Sequence, residues 1–179
     1  MVRKVIEEEK LPDFTFAHRE EGFDKHIEMS IRGYNQLHDD VVNLSRYFVE
    51  DETDVVDVGA STGKTIEAMA KQNFEFAPSA TYIAVENAVG FMKPLSERIN
   101  GLRSLYNVEY VESDIRSYDF HNCSLVTSLF TLQFMPMRDR KTVIGDIYRG
   151  LNHGGAFIFA EKTVATNARI QEMMPFTFY

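Results

Sequence analysis

The run Asp57-Val58-Gly59-Ala60-Ser61-Thr62-Gly63-Lys64-Thr65 is where this 179-residue chain shows the plainest capacity for chemistry. An apolar strand that breaks at two glycines and opens a helix presents free backbone N–H groups, a natural seat for an anion. Gly63-Lys64-Thr65 matches the end of the phosphate loop G-x-x-x-x-G-K-[ST]. Only Ala60-Ser61-Thr62 separate the two glycines, however, and the first glycine that the loop requires falls at Val58. That spacing disfavours nucleotide hydrolysis. The dinucleotide fingerprint G-x-G-x-x-G fits weakly. Ser61 stands at its middle glycine and Lys64 at its last, and Glu86 follows Gly59 by 27 residues where about 20 is usual.

The same run resembles the nucleoside-binding turn of class I S-adenosylmethionine (SAM) methyltransferases: an apolar strand, an acid, then G-x-G-x-G. Asp57 is the acid and Ser61 replaces the middle glycine. Gly59 lets backbone approach the methionine part of such a ligand, and Gly63 opens the helix with unpaired N–H groups. Two further acids favour this reading over the dinucleotide one. Glu86 ends the next strand, where it could accept both ribose hydroxyls as a bidentate carboxylate. Asp114 follows the strand after that, where it could accept from the adenine amino group, or equally cap the turn behind it. Phe130, Leu132 and Phe134 read as core or pocket wall, Phe130 lining the adenine. Taken alone, the two glycines could simply make a tight strand-to-helix turn.

These residues must be held by the elements around them. From Asp24 to Val49, Ile27, Ile31, Tyr34, Leu37, Val41, Val42, Leu44, Tyr47 and Phe48 recur at helical spacing, interrupted by Gly33, which predicts a helical cap broken in two. Short apolar runs then alternate with amphipathic stretches. Strands are predicted at 55–58, 81–86, 108–112, 124–130 and 156–160. Helices follow Gly63 to about Lys71, and run from about Gly90 to Leu102, Arg138 to Leu151 and Ala165 to Met174, with a turn at Asn152–Gly155. Continuous apolar strands alternating with helices mean a doubly wound, mainly parallel α/β sheet of Rossmann-like type. Residues 1–23 read as a charged, loosely ordered segment, 24–49 as the cap and 54–179 as the α/β core. In such sheets ligands sit at the carboxyl ends of the strands, beside the switch in strand order.

Composition narrows the partners. With 19 basic and 27 acidic side chains the formal charge is −8, so a surface that neutralises many phosphates is not expected, and a small-molecule substrate is. The single cysteine, Cys123, excludes a disulfide framework and suits a reducing cytoplasm. Its place before a strand, away from the site, argues against a nucleophile. No stretch approaches the roughly 20 apolar residues of a membrane span, and MVRKVIEEEK does not read as a signal peptide. The five histidines show no metal spacing.

A more specific resemblance rests on Ser128-Leu129-Phe130-Thr131-Leu132-Gln133-Phe134, Ile147-Tyr148-Arg149-Gly150-Leu151-Asn152, Gly154-Gly155-Ala156 and Glu161-Lys162, with Ile27-x-x-Ser30-Ile31-x-Gly33-Tyr34 and Ser113-Asp114-Ile115-Arg116 upstream. From Asp24 onward the chain resembles the tRNA carboxy-SAM synthase family, class I methyltransferase-fold enzymes that make carboxy-SAM from SAM and prephenate for a separate enzyme of tRNA wobble-uridine modification. The resemblance implies S-adenosyl-L-methionine or carboxy-S-adenosyl-L-methionine as ligand. It places the contacts on Tyr34, on Gly59, Ala60 and Ser61, on Glu86 and Asn87, and on Asp114 and Ile115, with the Tyr34 ring over the sulfonium. Three positions depart from the family pattern. Glu86 stands for an Asp, Leu129 for an Asn, and the arginine that holds the extra carboxylate lies beyond Tyr179. The family's sheet has seven strands and five are read here, so the last strands are expected to be missing. The fifth would then be an exposed edge, for which a homodimer partner is one cover. An ordinary small-molecule methyltransferase and a non-catalytic SAM or carboxy-SAM binder stand as alternatives.

Overall fold

The computed structural model describes residues 22–163 and 167–173. The charged N-terminal segment therefore lies outside the described residues except for Gly22 and Phe23, as do the two ends of the helix expected at 165–174.

Five strands, β1 (Asp54–Val58), β2 (Thr81–Glu86), β3 (Val108–Glu112), β4 (Cys123–Leu129) and β5 (Leu151–Ala160), form one parallel sheet in the order β3-β2-β1-β4-β5. The helices are α1 (Phe23–Ser30), α2 (Tyr34–Ser45), α3 (Lys64–Asn73), α4 (Val89–Leu102), α5 (Met137–Gly150) and α6 (Ala168–Met173). The chain winds outward from β1 to β3 and returns to place β4 on the other side of β1. The switch in strand order thus lies between β1 and β4, beside the glycine turn.

The period-two alternation of a strand divides the core in two. Val55 and Leu125 point to the side of α3 and α4, against Ile66, Met69, Leu95 and Ile99. Val56, Val58, Val85 and Val126 point to the opposite side, against Val143 and Ile147 of α5. Both faces of the three central strands β2, β1 and β4 are covered, so these read as mostly apolar runs, while the edge strands β3 and β5 stay partly exposed. Each fully buried aliphatic side chain contributes about 1.5–3 kcal/mol.

The predicted break at Gly33 is present: its φ of +75° ends the α1 segment and starts α2. Two expectations change at β4 and β5. β4 begins at Cys123, which is fully buried, and burial followed by the nearby Asp54 charge pushes its thiol up to about 12. β5 begins at Leu151 and runs through the stretch expected as a turn. The turn residues survive as an irregularity inside the strand, since pairing jumps from Cys123↔Leu151 to Leu125↔Ala156, with Gly154 at φ +88°. As the outer strand β5 leaves Phe159 57% exposed.

Candidate functional site

At the carboxyl ends of β1, β2 and β4 lies a cavity of about 390 Å³. Of the residues expected at a site, Gly59, Ser61, Glu86, Asn87, Asp114, Ile115 and Phe130 line it, and so does Leu129. Tyr34, Asp57, Ala60 and Gly63 are not on its wall.

The glycine turn is sewn to the end of β2. Gly59 and Ala60 N–H groups both donate to the Val85 carbonyl, at 2.8 and 3.1 Å, and the Ser61 N–H donates to Glu86 Oε2 at 2.8 Å. Gly59 has φ +71°, and a Cβ there would lie 2.2 Å from Thr131 Oγ1. The fold thus demands glycine at this position on its own account. Ser61 has φ +50°, a left-handed conformation that costs a non-glycine residue about 1–2 kcal/mol. That strain explains why a glycine-rich pattern suits the turn, and it shows that serine can hold the same backbone. Gly63 (φ +79°) caps α3.

Glu86 is 6% exposed and bonded to three backbone amides: Oε1 accepts from Asn87 N (2.9 Å) and Ala88 N (2.8 Å), beside the bond from Ser61. A carboxylate offers about four lone-pair positions, and three are taken here. The bidentate grip expected on two ribose hydroxyls would have to share the carboxylate with these three amides.

Asp114 behaves as a cap. Its Oδ1 accepts from the backbone N and the Nε of Arg116, both at 2.9 Å, and Oδ2 accepts from Arg116 Nη2 at 2.6 Å. Arg116 also reaches Asp139 at 3.2 Å. The guanidinium holds the Asp114 carboxyl below its ordinary range. An adenine amino group at Asp114 would have to share it with this ion pair.

Asp57 sits beneath the turn, 3% exposed, with Oδ1 accepting the Thr127 hydroxyl at 2.6 Å. Desolvation pushes its carboxyl up to about 7; the Thr127 bond pulls down and the Glu86 charge pushes further up. Tyr34 opens α2 at 7% exposure, its ring 6.4 Å from Phe130 and stacked 6.2 Å from His38. Lys64 Nζ stands 5.4 Å from the ring centroid, so the cation beside Tyr34 is a lysine of the chain itself. Burial, then the charges of Asp57, Asp24 and Glu28, push the Tyr34 hydroxyl up to about 12.

Three features escaped the sequence reading. Phe23 and Ile27 of α1, with Ile31 just past its end, line the cavity together with the strand ends. Their i, i+4, i+8 spacing was a usable signal. Phe130 adopts φ +59°, rare for a bulky side chain, at the wall just past β4. The Glu161 carboxylate accepts from the backbone N–H groups of Leu132 (2.8 Å) and Gln133 (3.0 Å), anchoring the one-turn helix at 132–134 that closes the cavity. Among the described residues there is no group of three or more His, Cys, Asp or Glu placed to hold a metal, and no helix long and apolar enough to cross a membrane.

A family model described as "Methyltransferase domain" matches residues 55–155, which span β1 to the first half of β5. Carboxy-S-adenosyl-L-methionine synthase of Staphylococcus epidermidis is 35% identical over 155 residues, covering 85% of this chain and 64% of that protein. The synthase of a Shewanella species (strain W3-18-1) is 35% identical over 167 residues, covering 93% and 68%. The chain belongs to the class I SAM-dependent methyltransferase superfamily and, within it, to the family whose curated members are named carboxy-SAM synthases. It spans about two thirds of the length of these relatives. Among solved structures, DesVI of Streptomyces venezuelae shares the fold with a TM-score of 0.63 at 16% identity, covering 84% of this chain and 60% of that one. SAM-bound CalS10, an amino pentose methyltransferase of Micromonospora echinaspora, does so with a TM-score of 0.59 at 19% identity, covering 79% and 56%.

SAM is the cofactor of this superfamily, and the cavity's chemistry fits an adenosyl group. Val85, Phe91, Ile115, Leu129 and Phe130 supply apolar wall for a flat heterocycle. Glu86 keeps one acceptor position for a sugar hydroxyl, and the Gly59 backbone lies open beside it.

Proposed function

We propose that the chain binds SAM in this cavity and serves a SAM-dependent transfer of the carboxy-SAM synthase kind, with SAM and prephenate giving carboxy-SAM for tRNA modification by another enzyme. The observation that carries the reading is the joining of the glycine turn to the strand-end acid. Ser61 and Glu86 meet at the switch in strand order, on the wall of an otherwise mostly apolar cavity, in a chain 35% identical to named carboxy-SAM synthases.

When bound, SAM supplies an already activated sulfonium, so the reaction asks of the protein alignment and exclusion of water rather than a strong base. Gly59, Ser61, Glu86 and Asn87 are proposed to hold the ribose and methionine parts; Asp114, Ile115 and Phe130 the adenine. Asp57 and Tyr34 act from behind the wall, Asp57 by setting the charge beneath the turn and Tyr34 by backing Phe130. The acceptor is proposed to be a small molecule, because net charge −8 offers little to a phosphate backbone.

One observation favours the ordinary methyltransferase as second reading. Arg116 is the arginine on the cavity wall, and its guanidinium is spent on Asp114 and Asp139. Leu129 offers no hydrogen bond where the family pattern has Asn. Neither residue, as placed, selects an extra carboxylate.

Mass spectrometry of the small molecule that copurifies with the protein, followed by incubation with SAM and prephenate, tests these readings. Carboxy-SAM, bound or formed, supports the synthase. SAM or S-adenosylhomocysteine without carboxy-SAM formation supports the methyltransferase. A bound ADP or NAD overturns both.

A further inference from the structure

α1 is an unusual wall. It is eight residues long and none of them is buried, and a helix that short is marginal on its own in water. It hangs between Gly22 (φ +76°) and Gly33 (φ +75°). A Cβ at Gly22 would meet nothing within 4 Å, and one at Gly33 nothing nearer than 3.8 Å. At neither glycine would a side chain be crowded, and both hold a left-handed backbone, so α1 is flanked by two conformationally permissive residues.

Its two long faces do different things. Phe23 and Ile27 close the cavity, the Phe23 ring meeting Phe91 of α4 edge-on with 4.6 Å between centroids. Asp24 and Glu28, four residues apart on another face, reach over the glycine turn. Asp24 Oδ1 accepts the hydroxyl of Thr62, inside the turn, at 2.5 Å, and Oδ2 accepts from Arg98 Nη2 of α4 at 2.7 Å. Glu28 Oε1 accepts from Lys64 Nζ, the first residue of α3, at 2.6 Å. Glu67 of α3 holds Arg98 from the other side at 3.4 Å.

We infer that α1 is a charge-latched lid over the cavity, and that Asp24 is the positioning residue that couples lid closure to the glycine turn. The latch side chains are 24–33% exposed, shielded enough to matter and open enough for salt to reach. Closed, the lid holds Thr62 and hence the turn in place and blocks exit past Phe23 and Ile27. Open, it frees both at once. An adenosyl ligand thus leaves only after the Asp24 and Glu28 contacts break. The identity of that ligand rests on the function proposed above; the latch itself does not.

The test takes the full chain and two variants, Asp24→Asn, which keeps an acceptor for Thr62 but removes the charge, and Asp24→Ala, which removes both. Amide hydrogen exchange of the ligand-free protein reads the latch: exchange at residues 26–31 is expected to rise about tenfold in Asp24→Ala and less in Asp24→Asn, with α5 and β4, which make no latch contact, unchanged. Unchanged exchange in α1 overturns the latch. Stopped-flow dissociation of S-adenosylhomocysteine reads its consequence. The off-rate of the unaltered protein is expected to rise severalfold between about 0.05 and about 1 M NaCl, and that salt dependence is expected to be weaker in Asp24→Ala. Equal salt dependence in both overturns the gating role. Binding of no adenosyl ligand at all by the unaltered protein overturns the proposed function instead, and leaves hydrogen exchange to decide the latch.

Discussion

The Ser61 amide donates to Glu86 Oε2 across 2.8 Å, so the turn after β1 and the acid that ends β2 are one unit. Two consequences separate. Glu86→Ala leaves the Ser61, Asn87 and Ala88 N–H groups without their acceptor, at about 1–3 kcal/mol for each one that stays buried and unpaired. It also removes the acceptor proposed for the ribose, worth about 1.5–3 kcal/mol, or tenfold and more in affinity. Glu86→Asp keeps the charge but falls short of the turn, so it is expected to lose stability and yet keep most of the affinity. Thermal unfolding and calorimetric titration with S-adenosylhomocysteine distinguish the two effects. If both variants bind like the parent, Glu86 serves the turn and nothing else.

Asp57 should make stability fall as pH rises. Burial lifts its carboxyl from the ordinary 3.8 to about 7 in the native protein. Between those values the native state holds a proton that the unfolded chain has released. The contribution is therefore fully present below about 4 and is lost as pH rises through about 7. The span corresponds to a few kcal/mol at most, reduced wherever the chain relaxes around the charge. Asp57→Asn retains an oxygen to accept the Thr127 hydroxyl and carries no titration. Urea midpoints at about pH 5 and about pH 8 are expected to drop for the parent and to drop less for Asp57→Asn. Parallel slopes for the two proteins would remove Asp57 as the cause.

Residues of the strands were the most legible part of the molecule. Val55–Val58 and Thr81–Glu86 are short, mostly apolar runs bounded by turn residues, the signature of a strand buried on both faces, whereas Val108–Glu112 alternates apolar and charged residues as a half-exposed edge strand does. Because strand ends were legible, so were the acids at them. What those acids bond to was not. The Asp114–Arg116 pair and the Glu86 bonds to three amides depend on side-chain direction, which spacing does not encode. The Glu161 anchor joins groups 28 and 29 residues apart, beyond any local pattern. β5 ran through Asn152–Gly155 because a neighbouring strand recruited residues whose own preference is for a turn. Phe130 at φ +59° is imposed by its surroundings, against the preference of an aromatic residue.

Gly59 is expected to tolerate no side chain. Alanine there meets both the left-handed backbone and the Thr131 side chain, whose Oγ1, Cγ2 and Cβ would lie 2.2, 2.4 and 2.8 Å from the new carbon. Left-handed strain and overpacking together cost about 2–5 kcal/mol. Thermal unfolding of Gly59→Ala checks this without reference to any ligand. A fall of less than a few degrees would show that the loop after β4 yields easily, and that the Thr131 contact does not fix the turn.

Ser61→Gly bears on whether the missing middle glycine weakens the turn. Glycine relieves about 1–2 kcal/mol of left-handed strain at φ +50°, while the freer unfolded chain takes back about 0.4–1 kcal/mol. The Ser61 hydroxyl makes one long contact with the Gly59 carbonyl, at 3.5 Å, so little is lost with it. The bond that matters, from the Ser61 amide to Glu86, survives the change. Stability is expected to hold or rise by up to about 1 kcal/mol, with S-adenosylhomocysteine affinity within about threefold of the parent. A large loss of affinity at unchanged stability would assign the hydroxyl a direct contact with the ligand.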